Sequence, residues 1–230
     1  MSDYTTLLLE IEGGVAIVTL NRPEQRNAWS VGMAQELNRM LGELDRDDAV
    51  RVVVLTGAGS AFCVGADLPE DDAFETPEGE QARDPMHWRT LVAPWSLRKP
   101  VVAAINGHAV GVGITYALMC DRRFVAEDAK IAFAFVRRGV LPELASHAIL
   151  PRLVGLDAAA DLLLSGRTIS GREAASLGLA ARALPAGEVL NDIYTTDQPF
   201  RYFIRPDQPD VLTSLMRRAA GGLADKSLTQ

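Results

Sequence analysis

The chain has 230 residues, 48% apolar and 23% charged, which fits one globular domain with a sizeable core and lies outside the disordered class. Its 30 acidic residues against 23 basic ones give a formal charge of -7, which argues against broad nucleic-acid binding, because that binding needs cations to neutralise phosphates. The two cysteines, Cys63 and Cys120, have no metal-type spacing and fit a reduced, cytoplasmic protein; no apolar run approaches ~18 residues, so no membrane span is expected, and the acidic N-terminus is not a secretory signal.

In chain order, Thr6 to Ile11 and Val15 to Leu20 read as a hairpin turned by Glu12-Gly13-Gly14. After the loop Asn21 to Asn27, Ser30 caps a helix whose apolar residues Met33, Leu37, Met40, Leu41 and Leu44 share one face. Val52 to Leu55 is a β-branched run typical of a strand buried on both faces, and it leads into the glycine-punctuated loop Thr56 to Asp67. The acidic stretch Pro69 to Pro85 reads as a surface loop or lid, or as a solvated linker. Met86 to Leu97 reads as a helix stopped by Lys99-Pro100, with Trp88 and Trp95 in the core.

Val101 to Ile105 then forms an apolar strand, and Asn106-Gly107 and Gly111-Val112-Gly113 turn it into a helix that ends near Cys120. Arg122 to Ala126 and Lys130 to Phe135 read as strands, and Arg122-Arg123 and Arg137-Arg138 as solvated faces. Helices follow from Pro142 to Leu150 and from Asp157 to Leu164. Ser170-Gly171-Arg172-Glu173 is a capping box that opens a helix ending at Gly178. Strands and helices alternate over the first 185 residues, so the fold class is α/β. Beyond Glu188 the breakers Asp197-Gln198-Pro199, Arg205 to Pro209 and Gly221-Gly222 leave one clear helix, Val211 to Ala220. The expected division is a core over 1–187 and a short, atypical C-terminal segment over 188–230.

Two elements of the form buried strand then glycine turn, around Ala66 and Val112, each offer a backbone N–H, and two such donors aimed at one oxygen make an oxyanion hole. Tight packing alone is the alternative reason for such turns. No Gly-Lys-Ser/Thr follows the first loop, and Tyr116 stands where a dinucleotide fingerprint needs its third glycine. The nucleophile elbow Gly-x-Ser-x-Gly and the zinc helix His-Glu-x-x-His are also missing, which leaves chemistry by backbone donors plus an acid or base.

Four blocks, TLNRPEQRNAWS, VVVLTGAGSAFCVGADL, KPVVAAINGHAVGVGITYALMCD and LLLSGRTISGREAASLGLA, resemble in order and spacing the crotonase superfamily, also called the enoyl-CoA hydratase/isomerase family. The resemblance covers roughly residues 5 to 188. It implies a crotonase-like spiral of ββα units, here with a short C-terminal helical or irregular tail. It also implies coenzyme A thioester substrates from fatty acid metabolism, a thioester enolate held by the N–H groups of Ala66 and Val112, and a homotrimer or dimer of trimers. Coenzyme A contacts fall on Arg26, Ala28, Ala61, Cys63, Val64, Gly65 and Gly111, with Arg26 suited to a phosphate. Coenzyme A is part of the substrate, so no separate cofactor is expected, and no metal.

The sequence departs from the family's hydratases at their two glutamates, whose positions hold Thr115 and Phe135. Glu143, in Gly139-Val140-Leu141-Pro142-Glu143, resembles the single acidic residue of members that shift an enoyl-CoA double bond. Apolar neighbours Leu141 and Leu144 would raise its pKa, and one carboxylate suffices to move a proton. The alternative is that Glu143 only favours a helix N-terminus. His147, four residues on, would face the same side of one helix and could support the carboxylate. His108 lies beside the glycine turn, and Asp67 reads as a loop-fixing residue. The favoured activity is isomerisation of 3-enoyl-CoA to 2-enoyl-CoA. Single-glutamate hydration and a catalytically silent module that binds acyl-CoA or a protein are the alternatives.

Overall fold

The computed structural model describes residues 4–67 and 92–195. Strands β1 (Leu7–Glu12) and β2 (Val15–Leu20) make the expected antiparallel hairpin, with Glu12 opposite Val15 at the turn. Helix α1 (Val31–Arg46) follows, and the Ser30 hydroxyl accepts from the Met33 N–H at 3.1 Å. The five apolar residues read from the sequence are all buried on its inner face. Strand β3 (Val52–Gly57) lies parallel to β2 with all six residues buried, as a continuous apolar run requires.

From here two strands alternate between two sheets. After β3, β4 (Ala61–Cys63) enters a second sheet. Next, β5 (Val101–Ile105) pairs parallel with β3 while β6 (His108–Val110) pairs parallel with β4, and α2 (Val112–Leu118) follows. Then β7 (Arg122–Ala126) pairs with β5, β8 (Lys130–Ala132) pairs with β6, and α3 (Ser146–Val154) and α4 (Leu156–Ser165) follow. This is the spiral of ββα units. Strand β9 (Thr168–Ser170) closes the small sheet, α5 (Gly171–Ser176) is capped by Ser170, and β10 (Arg182–Leu184) joins β7. The six-stranded sheet runs β1-β2-β3-β5-β7-β10 and the four-stranded sheet β4-β6-β8-β9. A last helix, α6 (Val189–Thr195), ends the described chain. No helix among the described residues is long and apolar enough to cross a membrane.

Several expectations are corrected. The strand expected over Lys130 to Phe135 stops at Ala132 and gives way to a 3-10 turn, Val136–Arg138; the apolar run continues because Phe133 and Phe135 are buried. The helix expected from Pro142 begins only at Ser146, because Leu144 and Ala145 take φ of 52° and 55°, a left-handed pair that no right-handed helix contains. Proline presets its own φ but does not carry the next residues into a helix.

Of the helix expected over Met86 to Leu97, only residues 92–97 are described, and they hold a single 3-10 turn, Pro94–Ser96. Trp95 is 41% exposed on that turn and is no core residue. Arg123 is no solvated face: it is buried, its Nε donates to the Leu179 carbonyl at 2.8 Å, and its Nη1 donates to that of Cys120 at 2.7 Å. Trp88, the acidic stretch from Pro69 to Pro85 and the helix expected over Val211 to Ala220 lie outside the described residues.

Candidate active site

The two glycine loops meet where the sheets adjoin. Trp29 donates its N–H to the Gly65 carbonyl at 2.8 Å and accepts from the Asp67 N–H at 2.9 Å, an isolated parallel bridge centred on Ala66. Those bonds use the neighbours of Ala66, so its own N–H faces away from Trp29, and the residue is exposed. Val112 is the first residue of α2, and an N–H in a first turn has no partner one turn back. Gly111 delivers it there with φ of 53° and ψ of -124°, a conformation that strongly favours glycine.

The loops interlock. A Cβ on Gly65 would lie 3.3 Å from the Val110 carbonyl oxygen, one on Gly111 would lie 3.8 Å from the Gly65 Cα, and one on Gly113 would lie 2.1 Å from the Cys63 carbonyl oxygen. The glycines thus pack tightly, and that packing brings the two turns together.

A polar framework missed by sequence reasoning ties the first loop down. Asn27 is fully buried; its Nδ2 donates to the Ala58 and Ala61 carbonyls at 2.9 and 2.8 Å, and its Oδ1 accepts from the Arg22 N–H at 2.8 Å. Arg22 in turn donates to the Ala28 carbonyl at 2.6 Å and pairs with Asp67 at 2.7 Å, which gives Asp67 the loop-fixing contact expected of it. The available signal was an asparagine in a polar loop, since Asn27 takes φ of 57°, a region that asparagine tolerates.

Of the residues expected to touch coenzyme A, Arg26 is exposed, Val64 and Gly111 are half-buried, and Ala28 and Gly65 are buried. Ala61 and Cys63 are fully buried, with their side chains in the core; burial pushes the Cys63 thiol up to about 12, so it is inert as a nucleophile.

Neither position of the hydratase glutamate pair offers an acid. Thr115 is fully buried and its hydroxyl donates back to the Gly111 and Val112 carbonyls at 3.2 and 3.3 Å, while Phe135 is 7% exposed. Glu143 is half-buried in the segment between the Val136–Arg138 turn and α3, and burial pushes its carboxyl up to about 7. Its main-chain carbonyl accepts from the Ser146 N–H at 2.9 Å. Because α3 starts after Glu143, the expected pairing of Glu143 and His147 on one helix face is corrected: His147 is on α3, exposed, and Glu143 precedes it. His108 is half-buried on β6, where its Nδ1 accepts from the Lys130 N–H at 3.1 Å, a contact that stitches β6 to β8. Among the described residues, no three His, Cys, Asp or Glu side chains form a metal-binding group.

The family model described as enoyl-CoA hydratase/isomerase matches residues 10–199. A putative enoyl-CoA hydratase of Thermus thermophilus is 42% identical over 80% of this chain and 74% of its own length. A probable enoyl-CoA hydratase of Mycobacterium bovis is 35% identical over 84% of this chain and 74% of its own. Among solved structures, a probable enoyl-CoA hydratase/isomerase from Mycobacterium abscessus superposes with a TM-score of 0.75 at 37% identity, covering 96% of this chain and 90% of that one. The enoyl-CoA hydratase from Bacillus anthracis gives 0.82 at 31% identity, covering 94% and 83%.

Proposed function

The chain belongs to the enoyl-CoA hydratase/isomerase family of the crotonase superfamily, and we propose that it shifts the double bond of a 3-enoyl-CoA to the 2-position. In this reading the thioester carbonyl oxygen accepts from the N–H groups of Ala66 and Val112. Ionised Glu143 removes a proton from the α carbon, the electron pair moves into the carbonyl and forms an enolate, and the two donors stabilise the charge. One such donor contributes ~2.7–4 kcal/mol in a known mutational case. The protonated Glu143 then returns the proton to the γ carbon as the double bond re-forms between the α and β carbons. One carboxyl group serves both steps, and nothing else is consumed.

The observation that carries this reading is the half-buried carboxyl at Glu143, raised to about 7, together with Thr115 and Phe135 at the places of a hydratase's acid pair. A pKa near the working pH suits a group that must both take and give a proton. Buried Phe135 also offers no polar atom to hold a water for addition. The coenzyme A portion is assigned to Arg26, at a phosphate, and to the loops of Ala28 and residues 61–65.

Hydration with Glu143 as the single acid/base is the second reading, supported by the names of the relatives. Purified protein offered 3-enoyl-CoA and 2-enoyl-CoA in parallel separates the readings. Appearance of the conjugated thioester absorbance from the 3-enoyl thioester supports isomerisation; its loss by water addition to the 2-enoyl thioester supports hydration; silence on both supports a binding module. We also propose a homo-oligomer, because Leu141, Leu156 and Leu164 are 88%, 77% and 76% exposed, and sedimentation tests it.

A further inference from the structure

Trp29 touches both the loop that holds Ala66 and the helix that begins with Val112. Its main chain bonds to Gly65 and Asp67 on either side of Ala66, at 2.8 and 2.9 Å. Its ring, with the residue 3% exposed, packs on the ring of Tyr116 with centroids 4.7 Å apart and planes tilted by 43°. Tyr116 is on α2, four residues after Val112, so the two share one face of the helix one turn apart. Tyr116 is itself held, since its hydroxyl donates to the Val92 carbonyl at 3.4 Å. The indole Nε1–H is buried and has no hydrogen-bond partner among the described residues. Among the described residues it is the ring and the main chain of Trp29 that make its connections.

We propose that Trp29 is a positioning residue that fixes the orientation of the Val112 donor against the Ala66 donor, through its backbone bridge on one side and its ring on Tyr116 on the other. The glycine contacts set how near the two loops come. The aromatic contact sets how α2 is rotated against residues 65–67, and so where the two N–H groups converge. This inference rests on the oxyanion assignment to Ala66 and Val112.

The test uses Trp29→Phe, Trp29→Leu and Tyr116→Leu in the full chain. The readouts are kcat and KM on 3-enoyl-CoA, and the infrared carbonyl stretch of bound butanoyl-CoA labelled with carbon-13 at the thioester. Misplacing one donor lowers kcat, and both leucine variants are expected to lose 10-fold to about 100-fold while KM stays within about threefold. Their carbonyl stretch should move back towards the value in water. Trp29→Phe keeps an aromatic ring on Tyr116 and should retain at least half of kcat and the full carbonyl shift. The proposal is overturned if Trp29→Leu keeps at least half of kcat with the full shift, or if Trp29→Phe falls as far as Trp29→Leu, which would make the indole N–H the active part. Should Trp29→Leu fail to fold by circular dichroism, Tyr116→Leu decides by the same two readouts. Wild-type protein with neither turnover nor carbonyl shift refutes the oxyanion reading itself, whereas a competent wild type with unaffected leucine variants refutes only the role of Trp29.

Discussion

Replacing Gly113 by alanine puts the strongest demand on the two-loop geometry. The added Cβ would stand 2.1 Å from the Cys63 carbonyl oxygen and 2.8 Å from the Cys63 Cβ, where contacts below 3.0 Å are essentially never seen. The obstructing oxygen is main chain on β4, so no side-chain rotation relieves it; the start of α2 has to move away by about 1 Å, and Val112 moves with it. A misplacement of that size costs on the order of 100-fold in rate. Overpacking of this kind costs about 1–3 kcal/mol of stability. The assay is kcat on 3-enoyl-CoA together with urea unfolding, with Gly187→Ala as control, since its Cβ meets nothing within 4 Å. A Gly113→Ala protein with wild-type kcat and an unchanged unfolding midpoint would refute the account of how the loops are held.

Glu143 makes a signed prediction. Between pH 4.5 and about 7 the folded chain retains a proton on this carboxyl that the unfolded chain has released, so its contribution to stability is lost as pH rises through that window. The displacement corresponds to about 3 kcal/mol without screening and to about 1–2 kcal/mol for a half-exposed group. Glu143→Gln should therefore gain on the wild type between pH 5 and pH 8 in urea titrations, and parallel curves would count against it. For catalysis, kcat/KM should fall about tenfold per pH unit below 7 and level off above, as an ionised base requires. Asn27→Asp exchanges an amide that donates to the Ala58 and Ala61 carbonyls for an oxygen that repels them, and should cost about 2–4 kcal/mol by urea unfolding. An unchanged midpoint would show that the amide is not the anchor. Cys63 and Cys120 are both buried, and the Cys63 thiol is pushed up to about 12, so a thiol reagent near pH 8 should label neither until the chain unfolds.

Long patterns were legible in the sequence. The apolar segments of β1 and β2 on either side of a glycine turn, the helical face of α1 and the apolar runs in β3 and β5 are each long enough to mark an element, and Ser30 and Ser170 mark helix starts that the structure reproduces. The three-residue strands β4, β6 and β9 are too short for periodicity, and only their pairing in the second sheet reveals them. The late start of α3 was hidden because nothing in Pro142-Glu143-Leu144-Ala145 announces two left-handed residues that are neither glycine nor asparagine.

At the candidate site, the sequence marked Gly65 and Gly111 as turn glycines, which take positive φ, and Glu143 as a carboxyl whose surroundings raise its pKa. What was not legible depends on long-range contact: Asn27 gains its role from carbonyls more than thirty residues away, Arg123 from a carbonyl at Leu179, and Trp29 from a ring on a helix that starts at Val112. Local sequence describes such residues only as polar, basic or aromatic.

The central claim is that one carboxylate, at Glu143, carries the proton. The most direct measurement is the turnover of 3-enoyl-CoA by Glu143→Gln alongside its affinity for butanoyl-CoA. The account predicts a kcat lowered by ~10²–10⁴ with affinity within a few-fold of wild type. An unchanged rate in that variant would contradict it.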